Sequence, residues 1–281
     1  YVREWREACR HESDVVIADS WQVTSALLSY NPPKKLFEFV QHDERLYHGQ
    51  PDEVEAVYRA PNVSKIVVAS WLKELFERDF AATPALVVNT IDREAFYPDG
   101  GVLHNSDTLR VTLLVHTYPW KGTQEGIDML TGLKRKYPHI RIVGFGVRTK
   151  ECPAGIDEYH YDPSPEELRS IYASSDIFLC PSWDEGFGLP SLEAMACGAA
   201  LVTYENGGSR DFAFDGETAF VAPHRDRDVL TQKLETAILD ESLRARIVAR
   251  SLVFVARLPT LEEQTVALET CLEGGRKNEC S

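Results

Sequence analysis

Residues 176–202 read DIFLCPSWDEGFGLPSLEAMACGAALV, and this run decides the fold of the second half of the chain. A buried strand, Asp176–Cys180, runs out at Pro181 and gives way to the loop DEGFGL. Pro190 then takes the first position of a helix, where proline is preferred because its missing N–H has no partner to lose. Gly198 ends that helix where a left-handed residue is favoured. Strand, glycine-bearing loop and helix N-terminus together form an anion site, because free backbone N–H groups and the helix dipole point at whatever binds. Glu185 opens the loop and Glu193 stands about one turn into the helix. Two carboxylates so placed can accept hydrogen bonds from hydroxyls flanking a bound phosphate, each worth roughly 1.5–3 kcal/mol. A glycine loop that merely turns the chain needs neither acid.

Outward from this run, strands and helices alternate. Toward the amino end, Asp14–Ala18, Leu36–Val40, Lys65–Ala69 and Ala85–Asn89 read as buried strands. Ser70–Arg78 reads as a helix with Ser70 able to cap its first turn. The second series is Leu109–His116, Ile140–Gly144, Asp176–Cys180, Ala200–Tyr204 and Thr218–Val221, with helices over Gly122–Lys136 and Pro165–Ala173. Ser164 and Glu167 form a capping box for the latter. Two such blocks predict two parallel-sheet α/β domains. The stretch Pro98–Asp107 is the linker, and past Pro223 the pattern turns helical. The predicted bounds are 1–98, 99–256 and a last segment, 257–281. Its helix, Thr260–Glu273, is expected to cross back onto the first domain through Leu261, Val266, Leu268 and Leu272.

Composition narrows the function. The chain has 281 residues, 43% of them apolar, and a net charge of −14, which would repel a nucleic-acid backbone. No run approaches the ~18 apolar residues of a membrane helix. Cys9, Cys152, Cys180, Cys197, Cys271 and Cys280 are far apart, without metal spacing, and read as reduced thiols of a cytoplasmic protein. The first residue is not Met, which predicts a start inside a longer protein or a trimmed chain.

The segment Glu185–Glu193, EGFGLPSLE, resembles the E-x7-E signature of retaining glycosyltransferase family 4. Asn89–Pro98 (NTIDREAFYP), Trp120-Lys121-Gly122, Gly144-Phe145-Gly146, Gly207-Gly208-Ser209 and Asp215–Val221 match other blocks of that family. More loosely, Ser20-Trp21-Gln22 and Phe39–Glu44 (FVQHDE) resemble polysaccharide rhamnosyltransferases within it. The resemblance implies a GT-B architecture, two Rossmann-like domains facing a cleft. It also implies transfer from a nucleoside-diphosphate-sugar to a saccharide or lipid-linked saccharide, with retention, no metal and no resident cofactor. The departing phosphate would act as base. A lipid-linked acceptor would bring the protein to the inner face of the membrane, a peripheral contact only; the oligomeric state stays open.

Carried residue by residue, the family assigns Glu193 to the ribose diol, and Glu185 with the backbone of Gly186, Phe187, Gly188 and Leu189 to the donor sugar and diphosphate. Lys121 would neutralise the pyrophosphate, Gly144 and Gly146 would let base or ribose approach a strand end, and His42 is the acceptor-side histidine. Two departures stand out. Family members carry an arginine five residues before the lysine, where this chain has His116. A protonated His116, its pKa raised by the diphosphate, would supply the missing cation, with Arg148 and Lys150 as alternatives. The family's first strand and glycine-rich turn find no match, so the first domain is expected to lack its opening strand–helix units. A non-catalytic nucleotide-sugar-binding or partner subunit is the competing reading, and a phosphorylase or epimerase on the same fold a third.

Overall fold

The computed structural model describes residues 15–30, 35–47, 50–98 and 108–274. The opening segment Tyr1–Glu12, Cys9, Cys280 and nearly all of the expected linker, 99–107, lie outside them. Contacts divide the described chain into two units, one running to Asn89 and taking in Leu261–Gly274, the other Thr90–Thr260.

The first unit runs β1 (Val16–Ala18), α1 (Trp21–Tyr30), β2 (Leu36–Val40), α2 (Pro51–Tyr58), β3 (Val63–Val67), α3 (Ser70–Phe80) and β4 (Ala85–Leu86). All four strands are parallel, in the order β1-β2-β3-β4. β3 begins two residues before its expected start, and Ser70 is the first helical residue, with Ala69 at the cap position and no side-chain cap. β2 is apolar on both faces, as a covered parallel strand must be, except at Glu38. Lys65 lies directly across from it on β3, and its Nζ donates to Glu38 Oε2 at 2.6 Å and to the Val57 carbonyl at 2.8 Å. Burial pushes the Glu38 carboxyl up and the Lys65 ammonium down, against the attraction of the pair. Such a pair is costly to halve, because removing one partner leaves a buried charge.

The second unit runs β5 (Leu109–Leu114), α4 (Thr123–Lys136), β6 (Ile140–Gly146), β7 (Glu158–Tyr161), α5 (Pro165–Ala173), β8 (Ile177–Cys180), α6 (Leu189–Ala196), β9 (Ala200–Tyr204), β10 (Phe220–Ala222), α7 (Arg227–Leu239) and α8 (Glu241–Val255). Its six strands are parallel, in the order β10-β9-β8-β5-β6-β7. Counted within the unit this is 6-5-4-1-2-3, the doubly wound arrangement in which the strand order reverses beside the first strand. Val111, Leu113, Ile142, Ile177, Leu179 and Val202 fill the core. The capping box of Ser164 and Glu167 forms as its sequence predicts. Gly198 has φ +93°, the left-handed turn that ends α6, and Pro190 is that helix's second residue, one later than expected. β7, EYHY, has no counterpart among the expected strands. It is a half-exposed edge strand whose Glu158 accepts from Arg110, Arg141 and His160, and the Arg110 bond foremost holds that carboxyl down near about 2.

Residues 90–98 pack in this second unit, so the division falls at Asn89 and not at Pro98. Thr90 donates to the Pro259 carbonyl at 2.6 Å, the Phe96 ring lies 6.1 Å from Tyr172, and Arg169 covers Tyr97 at 4.6 Å. The last helix, α9 (Leu261–Gly274), belongs to the first unit. Leu268, Cys271 and Leu272 pack on Phe37, Ile66 and Val87, and Gln264 Nε2 donates to the Val88 carbonyl at 2.9 Å. Leu261 and Val266, expected in that stripe, are exposed, and Cys271 takes the contact instead. No described helix is long and apolar enough to cross a membrane.

Candidate functional site

The order of the second sheet predicts where a ligand sits, at the carboxyl ends of β5 and β8, where the winding reverses. Two loops meet there. The one leaving β5 carries His116, the aromatic pair Tyr118 and Trp120, stacked at 4.4 Å, and a tight 3₁₀ turn, Pro119–Lys121. Thr123, at the start of α4, pins it by accepting the His116 N–H at 2.9 Å and donating to the His116 carbonyl at 3.0 Å. Gly122 then turns at φ +64°, and a Cβ there would stand 2.1 Å from the Pro181 carbonyl oxygen. Only glycine lets this turn lie against the chain leaving β8. The Trp183 N–H donates to the Trp120 carbonyl at 2.8 Å and joins the loops.

Lys121 and Glu185, 64 residues apart in sequence, meet through this junction. Lys121 Nζ lies 2.7 and 2.8 Å from the two carboxylate oxygens of Glu185. Their side chains are 21% and 12% exposed, so the pair is accessible yet partly desolvated. A narrow pocket opens beside them, lined by Leu114, Lys121, Cys180, Glu185, Gly188 and Ser191. The loop itself is clamped from below in sequence. The Glu185 N–H donates to the Asn206 carbonyl at 2.9 Å, and the Gly208 N–H returns to the Glu185 carbonyl at 3.1 Å. A Cβ on Gly208 would lie 2.6 Å from the Phe187 backbone, and Gly207 before it turns at φ +81°. Phe187 buries its ring against Phe212 at 5.4 Å, so it offers a ligand its backbone alone. Gly188, at φ +94°, starts α6, and Leu189 is partly exposed at its first position.

Glu193 is half-buried in α6, and Tyr172 of α5 donates its hydroxyl to Glu193 Oε2 at 3.2 Å. Burial pushes the Glu193 carboxyl up, and the Tyr172 bond draws it part of the way back. His116 closes back on its own loop. Its Nδ1 accepts the Tyr118 N–H at 3.1 Å, which an imidazolium could not do. Burial first, and then the charges of Lys121 and Arg148, push its pKa below the ordinary histidine value. His116 is therefore a neutral acceptor in this geometry. Arg148 is the nearer substitute, with its guanidinium 5.6 Å over the Tyr118 ring, whereas Lys150 lies over Tyr161. A histidine-ring NMR titration should put His116 clearly below about 6.5; a midpoint above that value would contradict the neutral assignment.

The glycines of β6 have reasons internal to the fold. A Cβ on Gly146 would stand 2.3 Å from the Val115 carbonyl oxygen, and one on Gly144 would meet Ile156 at 2.7 Å. His42 lies in the first unit, just past β2, with its ring 5.0 Å from Tyr47 and its carbonyl accepting the Tyr58 hydroxyl. Beside it Asp43 is gripped by Arg45, and buried Glu44 accepts the Trp21 N–H at 2.9 Å. Burial pushes the Glu44 carboxyl up to about 7. The segments around Trp21 and His42 thus touch through a helix cap. Among the described residues no group of three or more His, Cys, Asp and Glu could hold a metal ion. The sequence Asp226-Arg227-Asp228 is a helix start, with Asp226 accepting the Val229 N–H at 3.1 Å.

Residues 104–252, more than half of the chain, match the family model described as glycosyl transferases group 1. The chain belongs to the glycosyl transferases group 1 family. The Corynebacterium efficiens D-inositol 3-phosphate glycosyltransferase is 36% identical over 145 residues, 46% of this chain and 34% of that protein. The Staphylococcus aureus capsular polysaccharide biosynthesis glycosyltransferase CapM is 37% identical over 138 residues, 45% of this chain and 36% of that protein. The match thus spans about a third of the length of these curated relatives. Among solved structures, Anabaena HepE in complex with UDP-glucose superposes with a TM-score of 0.77 at 16% identity, over 97% of this chain and 81% of that one. The fold is GT-B, with two parallel-sheet units.

In this group 1 family member the matched region holds every candidate residue except His42. The sequence reading does not single out Tyr172, Thr123 or Tyr118, the ring stacked on Trp120. Tyr172 sits on the buried stripe of an amphipathic helix and reads as core; its hydroxyl has no signature in sequence.

Proposed function

We propose that this group 1 family member is a retaining glycosyltransferase of family 4, moving a sugar from a nucleoside-diphosphate-sugar to a saccharide or lipid-linked saccharide. The observation that carries the reading is the meeting of Lys121 and Glu185 at the sheet's reversal point, beside the start of α6. In the proposed assignment Glu193 takes the ribose diol, while Glu185 and the backbone of residues 186–189 take the sugar and diphosphate. Lys121 and the α6 dipole stabilise the charge that develops as the C1–O bond breaks. The acceptor oxygen attacks C1 from the same face, and its proton passes to the departing phosphate. Gly144 and Gly146 border the nucleoside, and His42 serves the acceptor in the first unit.

Lysine and backbone dipoles would do the work that a divalent ion does in other transferases, so transfer should proceed in EDTA. HepE holds UDP-glucose and CapM is named for capsular polysaccharide biosynthesis, which makes uridine donors and polysaccharide acceptors the first choice. The loose resemblance of Ser20-Trp21-Gln22 and Phe39–Glu44 to polysaccharide rhamnosyltransferases puts dTDP-rhamnose in the set as well. A lipid-linked acceptor would hold the protein at the inner face of the membrane. The test offers UDP-glucose, UDP-galactose, UDP-N-acetylglucosamine, GDP-mannose and dTDP-rhamnose with EDTA present. Nucleoside diphosphate release is measured, and the product anomer is read by NMR. Release from one donor at an undiminished rate in EDTA is expected, with the donor's anomeric configuration kept. Activity restored only by magnesium, or an inverted product, would overturn the metal-free retaining reading.

A further inference from the structure

The hydroxyl of Tyr172 is buried, and the aromatic packing around it does not use it. The residue is 0% exposed, and its ring is fixed by Phe145 at 5.4 Å and Phe178 at 5.5 Å, both edge-on, and by Phe96 at 6.1 Å. A phenylalanine would fill this space as well and would spare the fold a buried polar group. The hydroxyl instead reaches from α5 to α6 and donates to Glu193 Oε2 at 3.2 Å. The other oxygen, Oε1, takes no hydrogen bond from the described residues, and the Glu193 side chain remains partly open to solvent. One oxygen is thus held from inside the protein while the other stays available.

We propose that Tyr172 is a positioning residue for the donor nucleotide, holding one carboxylate oxygen of Glu193 so that the other is aimed at the ribose hydroxyls. The inference rests on reading Glu193 as the ribose acid. A carboxylate accepts from a diol only while it is charged, and two opposed influences set that charge. Burial pushes the Glu193 carboxyl up; the Tyr172 hydrogen bond draws it down. Tyr172 stays protonated, because burial first, and then the Glu193 charge, raise its own pKa well above the ordinary tyrosine value. Cys197, just past α6, and Cys180 of β8 act on the same hydroxyl in the same direction. Arg169 of α5 lies over Tyr97.

Removing the hydroxyl therefore has a signature that lost packing would not give. Nucleotide binding should weaken as pH falls through the Glu193 pKa. In Tyr172→Phe that fall should begin at higher pH, because the bond favouring the charged form is gone. The experiment titrates UDP, GDP, ADP and dTDP by calorimetry into the full-length protein, Tyr172→Phe and Glu193→Gln, from pH 5 to pH 9. Melting temperatures and a carbon-13 carboxyl titration of Glu193 accompany it. Ionisation of the nucleotide's own terminal phosphate is common to all three proteins and cancels in the comparison.

At pH 7, Tyr172→Phe should bind the preferred nucleotide roughly three- to tenfold more weakly. The loss should deepen toward acid pH, and its Glu193 carboxyl should titrate higher than the parent's. Glu193→Gln should be weak throughout. If Glu193→Gln is weak but Tyr172→Phe follows the parent's profile, or its Glu193 carboxyl titrates as the parent's does, the positioning role is overturned and the ribose assignment stands. Parent-like binding by Glu193→Gln removes the ribose assignment and this inference with it. Failure of the parent to bind any of the four nucleotides does the same.

Discussion

Replacing Lys121 by alanine should lower the turnover number for nucleoside diphosphate release by 100-fold or more while the protein folds as before. The size follows from what a preorganised charge contributes in a water-poor site, where losing one stabilising group typically costs about 10²–10³ in rate. The fold should tolerate the change, because the Lys121 side chain lines the pocket and fills no core position. Lys121 and Glu185 satisfy each other, with Nζ 2.7 and 2.8 Å from the two oxygens. A donor diphosphate offers Nζ a more strongly charged partner, and the exchange would release Glu185 for a sugar hydroxyl. Alanine abolishes both halves of that exchange, so a loss in turnover should exceed any loss in donor affinity. Lys121→Arg keeps the charge and can grip the carboxylate with two parallel bonds, so it should fall between parent and alanine. The double variant Lys121→Ala with Glu185→Ala separates the two contributions, since residues in contact deviate from additivity. A turnover number within about fivefold of the parent's for Lys121→Ala would remove the lysine from the leaving-group role.

The sequence makes the site legible where the chemistry is local and hides it where it is tertiary. Strand, loop and helix around Glu185 follow within one continuous run, and proline and glycine mark the helix ends there to within a residue. The two parallel sheets are legible for the same reason, since covered strands such as Ala200–Tyr204 are apolar throughout. The Lys121 contact with Glu185 spans 64 residues, and that of Tyr172 with Glu193 spans 21. No periodicity or spacing in the sequence reports them. At His116 the hidden surroundings act against the local reading. Beside a diphosphate, a histidine should gain a proton; burial, Lys121 and Arg148 push its pKa the other way. β7 escaped because an edge strand with one wet face need not be apolar, and its Glu158 is occupied by ion pairs. Leu261 and Val266 misled for the opposite reason, since a helix docked along a narrow seam can leave part of its apolar stripe in water.

Gly122→Ala should be the most damaging single methyl in the second unit, and the same change at Gly132 supplies the contrast. Both glycines adjoin or belong to α4, so helix propensity alone would rank them alike. Gly122 has φ +64°, a conformation that costs an L-residue roughly 1–2 kcal/mol. Its new Cβ would also stand 2.1 Å from the Pro181 carbonyl oxygen and 2.8 Å from the carbonyl carbon, backbone atoms that cannot rotate away. Forcing the chains apart adds about 1–3 kcal/mol, as overpacking does elsewhere. The two together predict a loss of roughly 2–5 kcal/mol, read as a lower midpoint in urea. Function should suffer beyond the loss of stability. Separating the β5 and β8 loops stretches the 2.8 Å bond between Trp183 and Trp120 and carries Lys121 away from Glu185. The fraction still folded should then bind nucleotide weakly. At Gly132 a Cβ meets nothing within 4 Å, inside a helix where alanine is the better residue, so the protein should gain up to about 1 kcal/mol. Equal stability of the two variants, or parent-like nucleotide affinity in Gly122→Ala, would show that the close approach at Pro181 does not hold the site together.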